Sequence, residues 1–367
     1  MLAVGTTAQA AGSLGTVASP SPGADYNELD GVASVTASNA WAVGFQRSTG
    51  LLFHVLVEHS NGTAWSVAAS AARPAADDTR LHAVAAVTSS DIWAVGSETT
   101  FTPTTSNSRS LIEHWNGTAW SVVPSPAGEP ANSVLLAITA VSASDVWAVG
   151  HSTLPIGQSD GTLIEHWNGL AWSIVQGASL VSTGNAYLLS VAAVSSSDVW
   201  AVGRNGRHPT PVIEHWDGAS WTQVTQPVSG YDSGLNSVAV ISATDIWAVG
   251  EQNLFQTVTE HWDGTSWTLV PSPSVTANSA QDILSSVVAL GHGDVWAVGS
   301  TIVDYKTLAE HWDGTSWQLV PSANSTAGAN ALSAASGTAA GQPLWAVGFS
   351  SSSGTPQFTT LVETTTG

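Results

Sequence analysis

The sequence contains no cysteine and very few basic residues. Of its 367 residues, 7 are Lys or Arg, 27 are Asp or Glu, and a single residue is Met. Without cysteine, the chain has no disulfides, no thiolate metal ligands and no thiol nucleophile. A net charge of −20 and scattered basic residues exclude a protein that binds nucleic acid through the phosphates, because such a protein needs a basic stripe.

Long apolar runs and charged tracts are also missing. No window approaches the roughly 18 apolar residues of a membrane-spanning helix, so no membrane span is expected. Charged residues make up 9% of the chain and hydrophobic residues 43%, a balance that excludes disorder. No segment shows a sustained apolar period of 3.6 residues, so no helix is expected either.

Residues 1–12 have features of the end of a secretion signal. A short apolar piece is followed by Ala8-Gln9-Ala10, a small-residue sequence typical of signal cleavage sites. A basic segment and most of an apolar core are absent, so the alternative is a low-complexity leader. We expect a secreted protein in which residues 13–367 form a single domain.

An internal repeat dominates the rest of the sequence. The string WAVG occurs seven times at a mean spacing of roughly 51 residues, close to the period of kelch repeats. A Glu-His pair follows each of the first six copies, and an Asn-Gly or Asp-Gly turn and another Trp follow the pair. The WAVG tryptophans are Trp41, Trp93, Trp147, Trp200, Trp247, Trp296 and Trp345.

Each repeat predicts four strands, named a to d in chain order. In the second repeat they are Leu81–Val87, Ile92–Gly96, Leu111–Trp115 and Trp120–Pro124, bounded by turn residues. The C-terminus supplies strands a, b and c, whereas residues 15–22 match strand d and its trailing Pro-Ser-Pro. We therefore predict an all-β, seven-bladed β-propeller that is closed by pairing the N-terminal strand with the C-terminal blade.

With these motifs the chain resembles secreted bacterial β-propellers that carry WAVG and EHWNGTxW repeats. In layout it is similar to kelch and galactose-oxidase propellers. The resemblance covers nearly the whole chain and implies the propeller architecture and an extracellular location. It implies no single activity, and we expect no cofactor.

The repeated polar residues favour structural roles. Adjacent residues on a strand point to opposite faces, so the Glu and His of one pair cannot chelate one ion. We expect each glutamate to accept a bond from an indole or backbone N–H of the next blade, and we assign no metal site. The aspartates before strand b are interpreted as turn residues that satisfy backbone N–H groups, with a Ca²⁺ site as the alternative. These are Asp91, Asp145, Asp198, Asp245 and Asp294.

Ligand-binding residues are predicted on the variable face, which the d–a and b–c connections form. All seven basic residues and all four tyrosines fall in these connections. Loops rich in Arg and Tyr on a rigid scaffold favour binding; the alternative is that variable loops simply collect polar residues. The basic residues are Arg47, Arg73, Arg80, Arg109, Arg204, Arg207 and Lys306.

One position near the mouth of the central channel breaks the repeat. It follows the strand-a leucine and holds Asp30, His82, Leu136, Leu189, Asn236 and Ser285 in successive blades. Polar groups beside an apolar wall are typical of a ligand pocket, whereas drift at a solvated channel mouth is the alternative. The predicted ligand-binding residues are Asp30, His82, Asn236, Arg80, Tyr26, Tyr187 and Tyr231.

Three functions fit the sequence. The first is a binding propeller, monomeric or weakly oligomeric, that holds an extracellular glycan, peptide or protein on the variable face. The second is a multivalent lectin that uses the Trp pairs of the c–d hairpins, such as Trp115 and Trp120, for which core packing is the alternative.

The third function, a glycosidase or polysaccharide lyase, is the least favoured. General acid–base chemistry on a glycoside needs two carboxylates about 5–10 Å apart, one of them desolvated. Outside the repeat, strand a offers only Asp30, and Glu28, Asp77 and Asp78 are expected in loops. No hydrolase motif is present, so no catalytic residue is assigned.

Overall fold

The computed structural model describes residues 12–48, 50–72, 77–102, 104–126, 128–130, 132–152, 161–178, 185–206, 209–228, 232–252, 256–273, 282–324, 328–352 and 357–366. These ranges form 28 strands in seven four-stranded sheets and contain no helix. It follows that, in this part of the chain, no helix has the length and apolar character needed to cross a bilayer.

Each sheet is one blade of a propeller, and the seventh blade combines both ends of the chain. Strand β1 (Ser13–Thr16) belongs to that blade. Blade 1 contains β2 (Tyr26–Thr36), β3 (Asn39–Arg47), β4 (His54–Ser60) and β5 (Trp65–Val67). Blade 2 contains β6 (Asp78–Thr88), β7 (Asp91–Phe101), β8 (Ser106–Trp115) and β9 (Trp120–Val122). Blade 3 contains β10 (Ser133–Ser142), β11 (Asp145–Ser152), β12 (Gly161–Trp167) and β13 (Trp172–Ile174).

The remaining blades repeat this order. Blade 4 contains β14 (Ala186–Ser195), β15 (Asp198–Asn205), β16 (Thr210–Trp216) and β17 (Trp221–Gln223). Blade 5 contains β18 (Gly234–Ser242), β19 (Asp245–Gln252), β20 (Gln256–Trp262) and β21 (Trp267–Leu269). Blade 6 contains β22 (Asp282–Gly291), β23 (Asp294–Thr301), β24 (Thr307–Trp312) and β25 (Trp317–Leu319). Blade 7 contains β26 (Asn330–Ser336), β27 (Trp345–Ser351), β28 (Phe358–Thr366) and β1.

The N-terminal strand closes the ring, as predicted. β1 pairs antiparallel with β28, and Ser13 lies opposite Thr366. The strand is shorter and begins earlier than the predicted residues 15–22. Strands a are longer than predicted and extend toward the variable face: in blade 2, strand a begins at Asp78 rather than at Leu81.

Tryptophans fill the space between neighbouring blades. The WAVG residue Trp93 of blade 2 packs against Trp167 and Trp172 of blade 3, with ring centroids 5.0 and 5.5 Å apart. The same arrangement joins Trp147 to blade 4. Of each Trp pair in the c–d hairpins, the tryptophan that opens strand d is buried, as core packing requires. Its partner at the end of strand c, such as Trp115, is half-buried.

Every strand a carries a β-bulge at the position where the repeat varies. In blade 3, Leu135 pairs with Gly150 and Ala137 pairs with Val149, so Leu136 lies between two ladder pairs. The WAVG glycine allows this bulge, because a Cβ on Gly150 would lie 2.0 Å from the carbonyl oxygen of Val134. A bulge re-aims its side chain and removes it from the ladder. The bulge residues are Asp30, His82, Leu136, Leu189, Asn236, Ser285 and Ser333.

Candidate functional site

The bulge residues and the residues two positions before them surround the channel mouth, because strands a of adjacent blades contact one another around the ring. Blade 1 places Glu28 and Asp30 at these two positions, and blade 2 places Arg80 and His82 there. The other blades hold mostly apolar or small residues. Their pairs are Val134 and Leu136, Tyr187 and Leu189, Gly234 and Asn236, Ile283 and Ser285, and Ala331 and Ser333. At these two positions, acidic, basic and imidazole side chains occur only in blades 1 and 2. In blades 4 and 5, the Arg204–Glu251 ion pair of strands b lies beside Gly234 and Asn236.

Asp30 and His82 form a hydrogen-bonded pair between blades 1 and 2. The Asp30 Oδ2 atom lies 2.9 Å from the His82 Nδ1 atom, and the two side chains are 17% and 20% exposed. When Nδ1–H donates to a carboxylate, the neutral imidazole keeps Nε2 as an acceptor. The pair is therefore held in place and still in contact with solvent.

Glu28 lies beside this pair in a more apolar environment. The Tyr26 hydroxyl donates a 2.6 Å hydrogen bond to Glu28 Oε2. Burial, and next the charge of Asp30, raise the pKa of Glu28 to about 7, against the opposing effects of the Tyr26 bond and of Arg80. Burial and the neighbouring Glu28 also raise the pKa of the Tyr26 hydroxyl.

The expectation that Glu28 and Asp78 lie in loops is wrong. Glu28 is the third residue of β2, and Asp78 is the first residue of β6. The sequence signal for strand a starts at the buried leucine, whereas the strand itself continues three residues further toward the variable face. Blade 1 therefore has two non-repeat carboxylates on strand a.

An Arg–aromatic cluster borders these carboxylates; it consists of Tyr26, Phe45, Arg47, Phe53, Arg80 and Phe358. The Arg80 guanidinium lies 4.3 Å from the Phe53 ring centroid, and its Nε donates to Asp78 at 2.9 Å. The Arg47 guanidinium lies 4.8 Å from the same centroid. Tyr26 contacts the rings of Phe45, Phe53 and Phe358.

Sequence reasoning found the tyrosine and arginines of this cluster but missed its phenylalanines. A signal was present, since all six phenylalanines of the chain lie between a WAVG motif and the following strand c or at its start. They are Phe45, Phe53, Phe101, Phe255, Phe349 and Phe358. Phenylalanines confined to one face of a repeat protein indicate a binding face as readily as Tyr and Arg do.

Two other predicted residues lie away from this sector. Asn236 Nδ2 donates to Glu251 Oε2 at 2.5 Å and to the Leu284 carbonyl oxygen at 3.0 Å. Tyr187 accepts a hydrogen bond from Asn185, and its ring meets the His151 ring edge-on, with centroids 4.6 Å apart. Tyr231, Arg73 and Arg207 lie outside the described residues. The structure thus brings together Tyr26, Arg80, Asp30 and His82 of the predicted site.

The repeated glutamates join blades, but in the opposite direction to that expected. Each accepts a hydrogen bond from the preceding blade, and the donors are backbone amides or serine hydroxyls rather than indoles. Amides donate to three of them, from Ala71 to Glu113, Ala178 to Glu214 and Val228 to Glu260. Serines donate to four, from Ser19 to Glu58, Ser110 to Glu165, Ser272 to Glu310 and Ser322 to Glu363.

The aspartates before strand b hold histidines instead of turn amides. Asp145 Oδ1 lies 2.8 Å from His166 Nε2, and the turn amide of Ser144 donates to the Ser142 hydroxyl. The same pairing recurs in blades 2, 4, 5 and 6. Blade 1 has Asn39 opposite His59. Across the described residues, no three His, Asp or Glu side chains are grouped as metal ligands would be.

Solved structures with a similar fold span nearly the whole chain. YCF48 bound to D1 peptide has a TM-score of 0.60 and 15% identity, covering 98% of this chain and 97% of that chain. YCF48 from Cyanidioschyzon merolae has the same TM-score and identity, with coverage of 96% and 98%. A six-bladed fucose-recognising lectin from Aleuria aurantia has a TM-score of 0.50 and 11% identity, with coverage of 79% and 95%. These identities establish a shared propeller fold alone. No family model and no curated protein matches the chain.

Proposed function

We propose that this chain is a secreted binding propeller that holds a neutral glycan at the channel mouth of its variable face. The observation that carries the proposal is the broken symmetry of the ring. Seven blades share one backbone plan, yet only blades 1 and 2 place acidic, basic or imidazole side chains at the bulge position of strand a and two residues before it. Packing alone gives no reason for such a difference between equivalent positions.

The chemistry of the channel mouth suits a sugar. Carboxylates, a guanidinium and an imidazole are groups that hydrogen-bond sugar hydroxyls in fixed directions. In the adjoining blades 3 and 4, the half-buried Val134, Leu136 and Leu189 offer an apolar wall for the C–H face of a sugar ring. A net charge of −20 repels polyanions, which favours a glycan without acidic groups.

The fold by itself does not choose the ligand. Propellers of similar structure include one solved with a peptide and one described as a fucose-recognising lectin. Function in such scaffolds resides in the residues placed on them. The proposal therefore depends on Glu28, Asp30, Arg80 and His82.

Binding to a glycan array, followed by calorimetric titration of the best neutral glycan, tests this proposal. We expect one site per chain and at least a tenfold loss of affinity in Asp30→Asn and His82→Ala. Leu170→Ala is the matched control, because Leu170 is 87% exposed on the c–d hairpin of the opposite face. About five equivalent sites, lost on changing the c–d tryptophans, would support the multivalent lectin instead. Binding only to a peptide array would replace the glycan with a peptide.

A further inference from the structure

We propose that Glu28 and Asp30 are the catalytic carboxylates of a glycoside hydrolase that cleaves the neutral glycan bound at this site. The inference rests on the proposed glycan-binding function and adds a reaction to it. Among the seven strands a, blade 1 alone has carboxylates both at the bulge and two residues before it. These are the groups that hydrolysis of a glycosidic bond requires.

The spacing of the two residues fits this reaction. Residues two positions apart on a strand have Cα atoms about 6–7 Å apart, and Asp30 lies close enough to Glu28 for its charge to raise the pKa of Glu28. Asp30 is the bulge residue, so its side chain is re-aimed relative to the ladder. In glycoside hydrolases in which a base-activated water attacks directly, the two carboxyl groups lie about 6.5–9.5 Å apart across the scissile bond.

The two carboxyls have different surroundings, which divides their roles. Glu28 lies beside the aromatic ring of Tyr26 and accepts its hydroxyl, and burial raises its pKa to about 7. Asp30 Oδ2 instead lies 2.9 Å from His82 Nδ1, and the Asp30 side chain is 17% exposed. A pair of acids separated in this way supplies one proton donor and one base. Glu28 is thus the general acid and Asp30 the general base.

The reaction needs only water as co-reactant. Asp30 takes a proton from a water molecule as the water oxygen bonds to the anomeric carbon. The bond from that carbon to the leaving sugar oxygen breaks, and Glu28 donates its proton to this oxygen. Asp30 then releases its proton to solvent and Glu28 regains one, which restores the starting state.

Tyr26 and His82 are positioning residues in this scheme. Tyr26 fixes Glu28 Oε2, and His82 Nδ1 fixes Asp30 Oδ2. The other charged groups around Glu28 are Arg80, Arg47, Asp25 and Asp78, and the last two are bonded to the arginines.

The first test compares substrates that need an acid with substrates that do not. Purified full-length protein is incubated with starch, xylan, β-1,3-glucan, mannan and chitin, and reducing ends are measured. The 2,4-dinitrophenyl glycoside of the responding sugar is then assayed, because dinitrophenolate leaves without protonation. Glu28→Gln is expected to lose about 10²–10⁴-fold on the polysaccharide and to keep near-normal turnover of the dinitrophenyl glycoside.

Asp30→Asn is expected to lose turnover of both substrates. Added azide is expected to restore turnover of the dinitrophenyl glycoside, because azide is a nucleophile that needs no base. Wild-type activity on the polysaccharide should fall as pH rises through about 7, where Glu28 loses its proton. Glu28→Gln acting on the dinitrophenyl glycoside should lack this decline. Asp217→Asn, on an exposed hairpin of the opposite face, is the control and should behave as wild type.

The outcomes separate this inference from the proposed function. If a neutral glycan binds with one site per chain and no listed polysaccharide is cleaved, catalysis is overturned and the binding function stands. Equal losses of Glu28→Gln on both substrates would overturn the acid role of Glu28. If no neutral glycan binds and none is cleaved, both proposals fail.

Discussion

At the scale of single residues, the repeated glutamates are the most unusual groups in the molecule. Each is buried between blades and accepts a bond from the preceding blade, and in all but Glu113 the second carboxyl oxygen has no hydrogen-bond partner among the described residues. Burial raises the pKa of Glu165 and Glu310 to about 8, and that of Glu58, Glu214, Glu260 and Glu363 to about 7. The folded state therefore favours the protonated acid at all of these positions.

This preference predicts that the protein is more stable in mild acid than at neutral pH. A carboxyl whose pKa is higher in the folded state gives its full stabilisation below the unfolded value of 4.5, and loses it as pH rises through the folded value. The free energy of unfolding should therefore fall between about pH 4.5 and 8. Urea denaturation at half-unit pH intervals measures this decline.

Substitutions at Glu165 separate the effect of the side-chain charge on stability from the effect of its shape. Gln at this position resembles the protonated acid, so Glu165→Gln should retain stability at pH 5 and show a shallower decline up to pH 8. Glu165→Ala removes the partner of the Ser110 hydroxyl and should lower stability by roughly 1–3 kcal/mol. A Gln variant with the wild-type pH slope would show that Glu165 is not protonated in the folded state.

The repeat predicted a structural role for these glutamates but not their partners. Periodicity identifies counterparts of Glu165 and His166 in the first six blades, and strand alternation places the two residues on opposite faces. It contains no information about which neighbouring blade each face meets, so the donor Ser110 was not predictable. The His–Asp pairing is visible in the sequence, because blade 7 lacks both residues and blade 1 has Asn39 with His59.

At the scale of strands, the bulge of strand a and the WAVG glycine act together. A Cβ at Gly44, Gly96, Gly150, Gly203, Gly250, Gly299 or Gly348 would lie between 1.9 and 2.1 Å from a carbonyl oxygen of strand a. The last residue of WAVG is therefore fixed by the close approach of two backbones. The bulge that this approach permits presents Asp30 and His82 at the channel mouth.

Gly150→Ala tests this coupling in a blade that carries no proposed catalytic group. The new methyl group meets backbone rather than a flexible side chain, so the two strands must separate. We expect destabilisation on the order of 1–3 kcal/mol, the usual cost of overpacking. Gly161→Ala, in the neighbouring strand with nothing within 4 Å of its Cβ, is the control and should change thermal unfolding little. Equal behaviour of the two variants would contradict the coupling.

The sequence indicated the number and order of strands better than their ends. Hydrophobic alternation marks Leu81–Val87, yet the polar Asp78, Thr79 and Arg80 continue the strand because they still pair with strand b. The same extension in blade 1 places Glu28 on a strand. The carboxylate pair was therefore missed because its outer member lies where the apolar pattern has already ended.

At the scale of the whole molecule, the ring depends on a strand of four residues. β1 pairs with β28 through Ser13, Leu14, Gly15 and Thr16, and Leu14 is 2% exposed. Leu14 also exchanges backbone hydrogen bonds with Pro321 and Ala323, which follow strand d of blade 6. Beyond the strand, Ser19 donates to Glu58 of blade 1. The N-terminal segment thus contacts blades 6, 7 and 1.

Closure was predictable because the repeat itself is incomplete at both ends. The C-terminus stops after strand c, and the only unassigned segment with the strand-d sequence is near the N-terminus. The identity of the ligand was not predictable in the same way. It depends on a single sector of the ring, where the residues of blades 1 and 2 depart from the repeat that determines the fold.

Deleting residues 1–22 should therefore abolish cooperative unfolding or cause aggregation, because the edge of β28 loses its partner. A circular permutant distinguishes loss of closure from loss of chain length. Ser13 lies opposite Thr366, so residues 13–22 can follow Thr366 through an Asn-Gly turn, which suits a two-residue hairpin. The new chain begins at Gly23 and should melt cooperatively within a few degrees of the wild type. If the deletion variant melts like the full chain, the N-terminal strand does not hold the ring together. If neither the deletion variant nor the permutant unfolds cooperatively, the connection through residues 17–22 matters more than the strand itself.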